Sequence, residues 1–172
     1  MRIESPSFTI DDVRSFMDTY GTRERDLLAD RLQRASDRLA ELGPRVNVEA
    51  GDDGEWNAHE LLAHLAVLSK FYGVLVHRVA SGKPLDMDLL QAVNMRDQAG
   101  QQMAQLDPRE LLRITLADQE RTVQTLRSSS PEALHRRAEF DGITMTAEEI
   151  ARMPLISHLE MHIDDLERML SR

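Results

Sequence analysis

Three histidines set the chemical question. His158 and His162 stand four residues apart, so on a helix one ring lies a turn above the other. Imidazoles at that spacing can offer two ring nitrogens to one metal ion. Their sector also holds Leu155, Leu159, Leu166 and Met169, which turns both rings toward the interior of a fold or its edge. His64 falls between Leu61 and Leu68 and shares a sector with Leu68, Phe71 and Leu75. His59 and His77 fall on the opposite, polar side of that segment, and His135 falls in a connector. A third imidazole from a facing helix completes one face of a coordination sphere. Three protein ligands leave positions for water or substrate, the pattern of catalytic rather than closed structural sites. The alternative is a hydrogen-bonded polar layer that fixes the register of a bundle. Three imidazoles suit zinc, nickel, copper or iron, and affinity order alone does not choose.

Those rings need helices to hold them, and the composition supplies helix formers. Leu, Ala, Met, Arg, Glu and Gln abound, while aromatics are 4%, and no sustained alternation of period two marks a strand. The first periodic segment is Thr22 to Leu42, with Leu28, Leu32, Ala35, Leu39 and Leu42 on one stripe. Val13, Phe16 and Tyr20 continue a similar spacing upstream. Gly21 interrupts it, which reads either as two helices or as one with a weak point. Gly43-Pro44 ends the segment. Asn57 reads as the next N-cap, with Glu60 as its capping-box partner and Trp56 against Leu61 as a hydrophobic staple. That stripe runs Leu61, Leu65, Leu68, Tyr72, Leu75 and Val79, and stops near Ser81-Gly82. From Gly82 to Asp107 the pattern is poor, with Leu89, Leu90, Val93 and Met103 as short helical pieces.

Asp107 then caps a helix that opens on Pro108 and carries Leu112, Leu116, Gln119, Val123 and Leu126. Residues 131 to 145 read as an irregular connector. Thr146 and Glu149 form a second capping box before Ile156, Leu159, Ile163, Leu166 and Leu170. Pro154 must kink this last helix or split a lead-in turn from it. The expected architecture is an all-α four-helix bundle with a long second connection.

Composition bounds the function from outside. A chain of 172 residues suggests one domain and buries a sizeable core without disulfides or structural metal. No cysteine is present, which excludes disulfides, thiolate zinc sites and a cysteine nucleophile. The net charge of −9 argues against nucleic acid and against an anionic membrane surface as partner. No 18-residue window is free of charge, and the start MRIESPSF lacks the pattern of a signal peptide, so the expected location is cytoplasmic. The glycines lack phosphate-loop spacing.

Two stretches resemble a known family. Glu55-Trp56-Asn57-Ala58-His59-Glu60-Leu61-Leu62-Ala63-His64-Leu65 looks like the first motif of the DinB-like superfamily. Ile156-Ser157-His158-Leu159-Glu160-Met161-His162-Ile163 looks like its second, His-x-x-x-His on the last helix. The segment around Asn94, the helix from Pro108 and the approach Gly142 to Thr146 fit in order. The resemblance covers nearly the whole chain and implies one such domain over residues 1–172. It implies a four-helix bundle of up-down-down-up topology, with the long connection between helices 2 and 3. It implies a divalent metal, nickel or zinc most often, held by His64, His158 and His162. Many members are homodimers. Some relatives transfer low-molecular-weight thiols such as mycothiol or bacillithiol, or use them to isomerise maleylpyruvate. The mycothiol-dependent isomerases carry Glu where His158 stands here.

The resulting expectation is a metal-dependent enzyme, a thiol S-transferase or a hydrolase, acting on a small electrophilic substrate. Without cysteine in the chain, any thiol must arrive as a cosubstrate. Glu60, one turn before His64, and Asp165, near the face of His158 and His162, are candidates to hydrogen-bond a ligand imidazole. Glu60 also has its place in the capping box, and Asp165 also reads as a solvated charge. Trp56 reads as a staple and core anchor, and Met153, Met161 and Met169 as packing residues. Asn94 reads as a cap. The competing expectation is a non-enzymatic dimeric stress-response module whose metal site is structural or vestigial.

Overall fold

A computed structural model describes residues 9–48, 56–83, 98–140 and 142–171. Leu89, Leu90, Val93, Asn94 and Glu55 lie outside the described residues. Helix α1 spans Ile10–Leu42 and opens on a capping box the sequence reading passed over. The Thr9 hydroxyl accepts from Asp12 N–H, and the Asp12 carboxylate accepts from Thr9 N–H. Leu28, Leu32, Ala35, Leu39 and Leu42 are buried as a stripe. Val13, Phe16 and Tyr20 continue the helix but stay exposed. Length explains this: α1 has 33 residues against 23 in α2, Ala58–Ala80, so its first turns outrun the partners by about 15 Å.

Gly21 is no weak point. α1 runs through it unbroken, because the residue is a contact. A Cβ built there would stand 2.6 Å from Cβ of Pro131. Pro131 opens the short helix α4, Pro131–Leu134, and its ring has no rotamer to yield. Gly21→Ala gains about 1 kcal/mol of helix propensity but forces an overlap costing about 1–3 kcal/mol. The expected result is a lower urea midpoint. A higher midpoint would mean that α1 and α4 part at no cost.

Helix α3, Pro108–Ser128, starts as expected, with Asp107 Oδ1 accepting from Arg109 N–H at 2.8 Å. Its buried stripe is Leu111, Thr115, Gln119, Thr122, Val123 and Leu126, which keeps the expected Gln119, Val123 and Leu126 and adds Leu111, Thr115 and Thr122. Leu112 and Leu116 are half-buried against the core. Polar groups fill part of that face. Gln119 Nε2 donates to Ser69 Oγ at 3.1 Å, and Thr122 presses on Gly73, where a Cβ would meet its Oγ1 at 2.4 Å.

The connector after α4 is not irregular. It holds an antiparallel hairpin, β1 Arg137–Phe140 and β2 Ile143–Thr146, in register from Arg137–Thr146 to Phe140–Ile143. Four residues per strand are too few for a sustained alternation. The signal was Asp141-Gly142, a hairpin dipeptide, and Gly142 takes φ +81°. The last helix follows as α5, Ala147–Ile150, a π-helical segment, Ala151–Ser157, and α6, His158–Leu170.

Contacts fix the helix directions. From Ser69–Gln119 to Gly73–Thr122 both numbers rise, so α2 and α3 are parallel. Glu24–Arg152, Arg31–Glu160 and Arg38–Glu167 make α1 and α6 parallel. Asp30–Arg127 and Gly21–Pro131 make α1 antiparallel to the α3 end of the chain. The topology is therefore up-down-down-up, and parallel α2 and α3 require the long connection between them. The core joins Leu61, Leu65 and Leu68 of α2 with Leu159, Ile163 and Leu166 of α6. An 18-residue window of α2 has mean hydropathy 1.2, apolar and long enough to cross a membrane, but 61% of it is buried inside the bundle.

A candidate metal centre at one end of the bundle

His64 is delivered by α2. Its start is fixed by Asn57 Oδ1 accepting from Glu60 N–H at 2.9 Å, and Glu60 Oε2 accepting from Asn57 N–H at 3.1 Å. Glu60 therefore has a capping role. His158 and His162 are delivered by α6, whose entry is set twice. The Thr146 hydroxyl accepts from Glu149 N–H at 3.1 Å, and the Glu149 carboxylate accepts from Thr146 N–H at 2.7 Å. The Thr146 N–H, and the Thr146 hydroxyl donating to the same carboxylate at 3.0 Å, hold the Glu149 carboxyl below its ordinary range.

Pro154 then neither breaks the helix nor splits it. It lies in the π segment, whose wider turn relieves the clash of the proline ring with the preceding carbonyls. Ser157 Oγ donates to the Arg152 carbonyl at 2.9 Å. The next residue is His158.

Three ion pairs and a hydrogen bond set the last helix against α1. Arg152 reaches Glu24 at 3.0 Å, Arg31 reaches Glu160 at 2.5 Å, Arg38 reaches Asp164 at 2.9 Å, and Arg45 donates to the Leu170 carbonyl at 2.6 Å. Residues 24, 31, 38 and 45 recur every seven along α1, a signal the sequence reading missed. Such pairs contribute about 0–1 kcal/mol each, so their effect is register rather than bulk stability.

The three expected histidines come together. One nitrogen of each lies within 4.8 Å of the others, and the rings are half-buried. Ring centroids are 4.9 Å apart for His64–His162, 5.5 Å for His64–His158 and 4.7 Å for His158–His162. His162 Nδ1 lies 3.1 Å from Asp165 Oδ2. A carboxylate only accepts, so Nδ1 carries the proton. Its Nε2 lies 2.9 Å from His158 Nε2. Arg168 pairs with the same carboxylate and holds it in place. Of the two expected supports, Asp165 is the one seen against a ring of the trio, and it is not a free surface charge.

Other residues depart from expectation. His59 is 4% exposed, not on a polar face. Its Nε2–H donates to the Leu106 carbonyl at 2.8 Å, tying α2 to the approach to α3. His77 is exposed, and His135 lies 3.2 Å from Glu148. Trp56 is 49% exposed and is no core anchor. Its ring covers the trio, 4.5 Å from His64 and 5.9 Å from His162. Met153 and Met161 are exposed, while Met169 packs on the core. His158 also walls a cavity of about 410 Å³ between α2, β2 and the π segment. The hairpin side of that wall was invisible without the Asp-Gly turn.

A mostly helical bundle that brings three imidazole nitrogens together is a scaffold that could hold a metal ion. The model of the DinB superfamily matches residues 20–166. The chain belongs to that superfamily. Searches among curated proteins and solved structures find no match.

Proposed function

We propose that this protein is a divalent-metal-dependent enzyme, a thiol S-transferase or hydrolase acting on a small electrophile. The carrying observation is the convergence of three imidazole nitrogens within 4.8 Å, one ring already oriented by Asp165. The donor set fits a borderline divalent ion such as nickel or zinc. His64, His158 and His162 would hold it, and the ion would supply a Lewis acid that acidifies a thiol or water. The chain's own residues do the rest. Asp165 holds the His162 tautomer, Trp56 shields the rings from bulk water, and the open side of His158 meets the cavity. The absence of cysteine makes any sulfur nucleophile a cosubstrate.

The test loads the protein with nickel or zinc and measures bound metal. It then follows thiol consumption and hydrolysis over a panel of electrophiles. Metal-dependent turnover is expected; a requirement for thiol marks a transferase and its absence a hydrolase. One tightly held ion with no thiol binding and no turnover would favour the structural module instead. Asp165→Ala should weaken metal binding about 10–100-fold, as loss of a ligand's hydrogen-bond partner does. Arg168→Ala is the control, since it leaves the carboxylate. Equal affinity in Asp165→Ala and wild type would remove Asp165 from the centre.

A further inference from the structure

The cavity beside His158 has a chemistry of its own. Its volume of about 410 Å³ lies in the range of small-molecule pockets. Leu75 and Ile150 form a buried floor, at 5% and 1% exposure. Ile143 and Met145 stand two apart on β2, so they share one face of the hairpin. Met153 and Pro154, from the π segment, make the opposite wall. Among the described residues that line it none is an Asp, Glu, Lys or Arg; Tyr72 and His158 are the polar members.

From this we infer that the cavity is the specificity pocket for an uncharged hydrocarbon portion, alkyl or aryl, of the electrophilic substrate. The inference rests on the proposed function for the word substrate, and on the cavity alone for the pocket. An ionised group entering it would lose water and meet no partner, a cost of several kcal/mol. An apolar group gains from every methylene that leaves water. Two methionines, unbranched and adaptable, let the wall follow ligands of differing outline. His158 joins pocket and trio, so a group seated there holds the attached electrophilic carbon at the centre. A polar low-molecular-weight thiol does not fit this lining and reaches the centre by another side.

The test uses a series of straight-chain primary alcohols competing with an uncharged naphthylamine fluorophore, on protein with and without zinc. Affinity should rise about three- to fourfold per added methylene until the cavity is full, then level off. The alkyl carboxylate of equal length should bind at least about tenfold more weakly. Binding should shift the imidazole resonances of His158 and leave those of His77 unmoved. Met153→Glu, at a 63% exposed position, should fold normally and weaken the alcohols by about tenfold or more; Met145→Glu is the second variant. Affinity independent of chain length, or unchanged in both variants, would overturn the pocket. Normal alcohol binding in a protein that takes up no metal would leave the pocket standing and sink the metal reading. Metal uptake with a flat alcohol series would do the reverse.

Discussion

Replacing His162 with alanine should abolish high-affinity metal binding while the helix around it stays folded. His162 is the hub of the trio: Nε2 meets His158, Nδ1 meets Asp165, and the ring stacks toward His64 and Trp56. Alanine deletes one of three donors and strands the support of the third contact. The loss should exceed the roughly 100-fold upper range for deleting a supporting residue alone. Alanine is a strong helix former, and the position is half-buried at the bundle end, so the fold should survive. Thermal shift gives the reading. An ion bound at a thousandfold its dissociation constant stabilises the native state by about 4 kcal/mol, or about 8–16 °C for a chain of this size. Wild type should show that rise with nickel or zinc, and His162→Ala should show almost none. A full rise in the variant would place the ion elsewhere.

The second large effect is on the fold itself. Leu159 lies between the two histidines in sequence and is 0% exposed. It packs in the core cluster with Leu61, Leu65 and Ile163. Leu159→Ala removes buried hydrocarbon and leaves a cavity, costing about 2–5 kcal/mol. The urea midpoint should fall accordingly with little change in slope. The informative comparison is with added metal. The three imidazoles remain in Leu159→Ala, so metal should raise its Tm by nearly the wild-type amount. His162→Ala should give the opposite pattern, near-normal stability without metal and no response to it. If Leu159→Ala lost both, core packing and ligand geometry would be one unit rather than two.

How far the sequence carried these results depends on the kind of contact. Capping boxes at Asn57 and Thr146 are local, four residues long, and were legible. The trio was legible because helical phase alone turns His64, His158 and His162 inward. His59 was misread because phase describes a helix in isolation. Its polar face is covered by Leu106, from a segment 47 residues away in the chain. Trp56 was misread for a similar reason: a staple to Leu61 is local, whereas stacking on two imidazoles needs α6 in place. Phase placed Gln119, Val123 and Leu126 of α3 correctly but missed Thr115 and Thr122, polar residues that hydropathy assigns outside. Pro154 could not be resolved from sequence, since a proline permits a kink, a break or a π turn alike. Family membership supports the bundle, while the cavity had no sequence signature because its walls come from elements far apart in the chain, α2, β2 and the successive parts of the last helix.

The position of Trp56 has a practical consequence. The chain contains one tryptophan, and its indole stands within stacking distance of a ring that would bind the ion. Its emission therefore belongs to a single, known place in the molecule. A paramagnetic ion such as nickel or copper held by the trio would quench that emission by contact, while zinc would change only its environment. Trp56 emission would then report occupancy of the trio during titration, chelation and stopped-flow mixing without a dye or label.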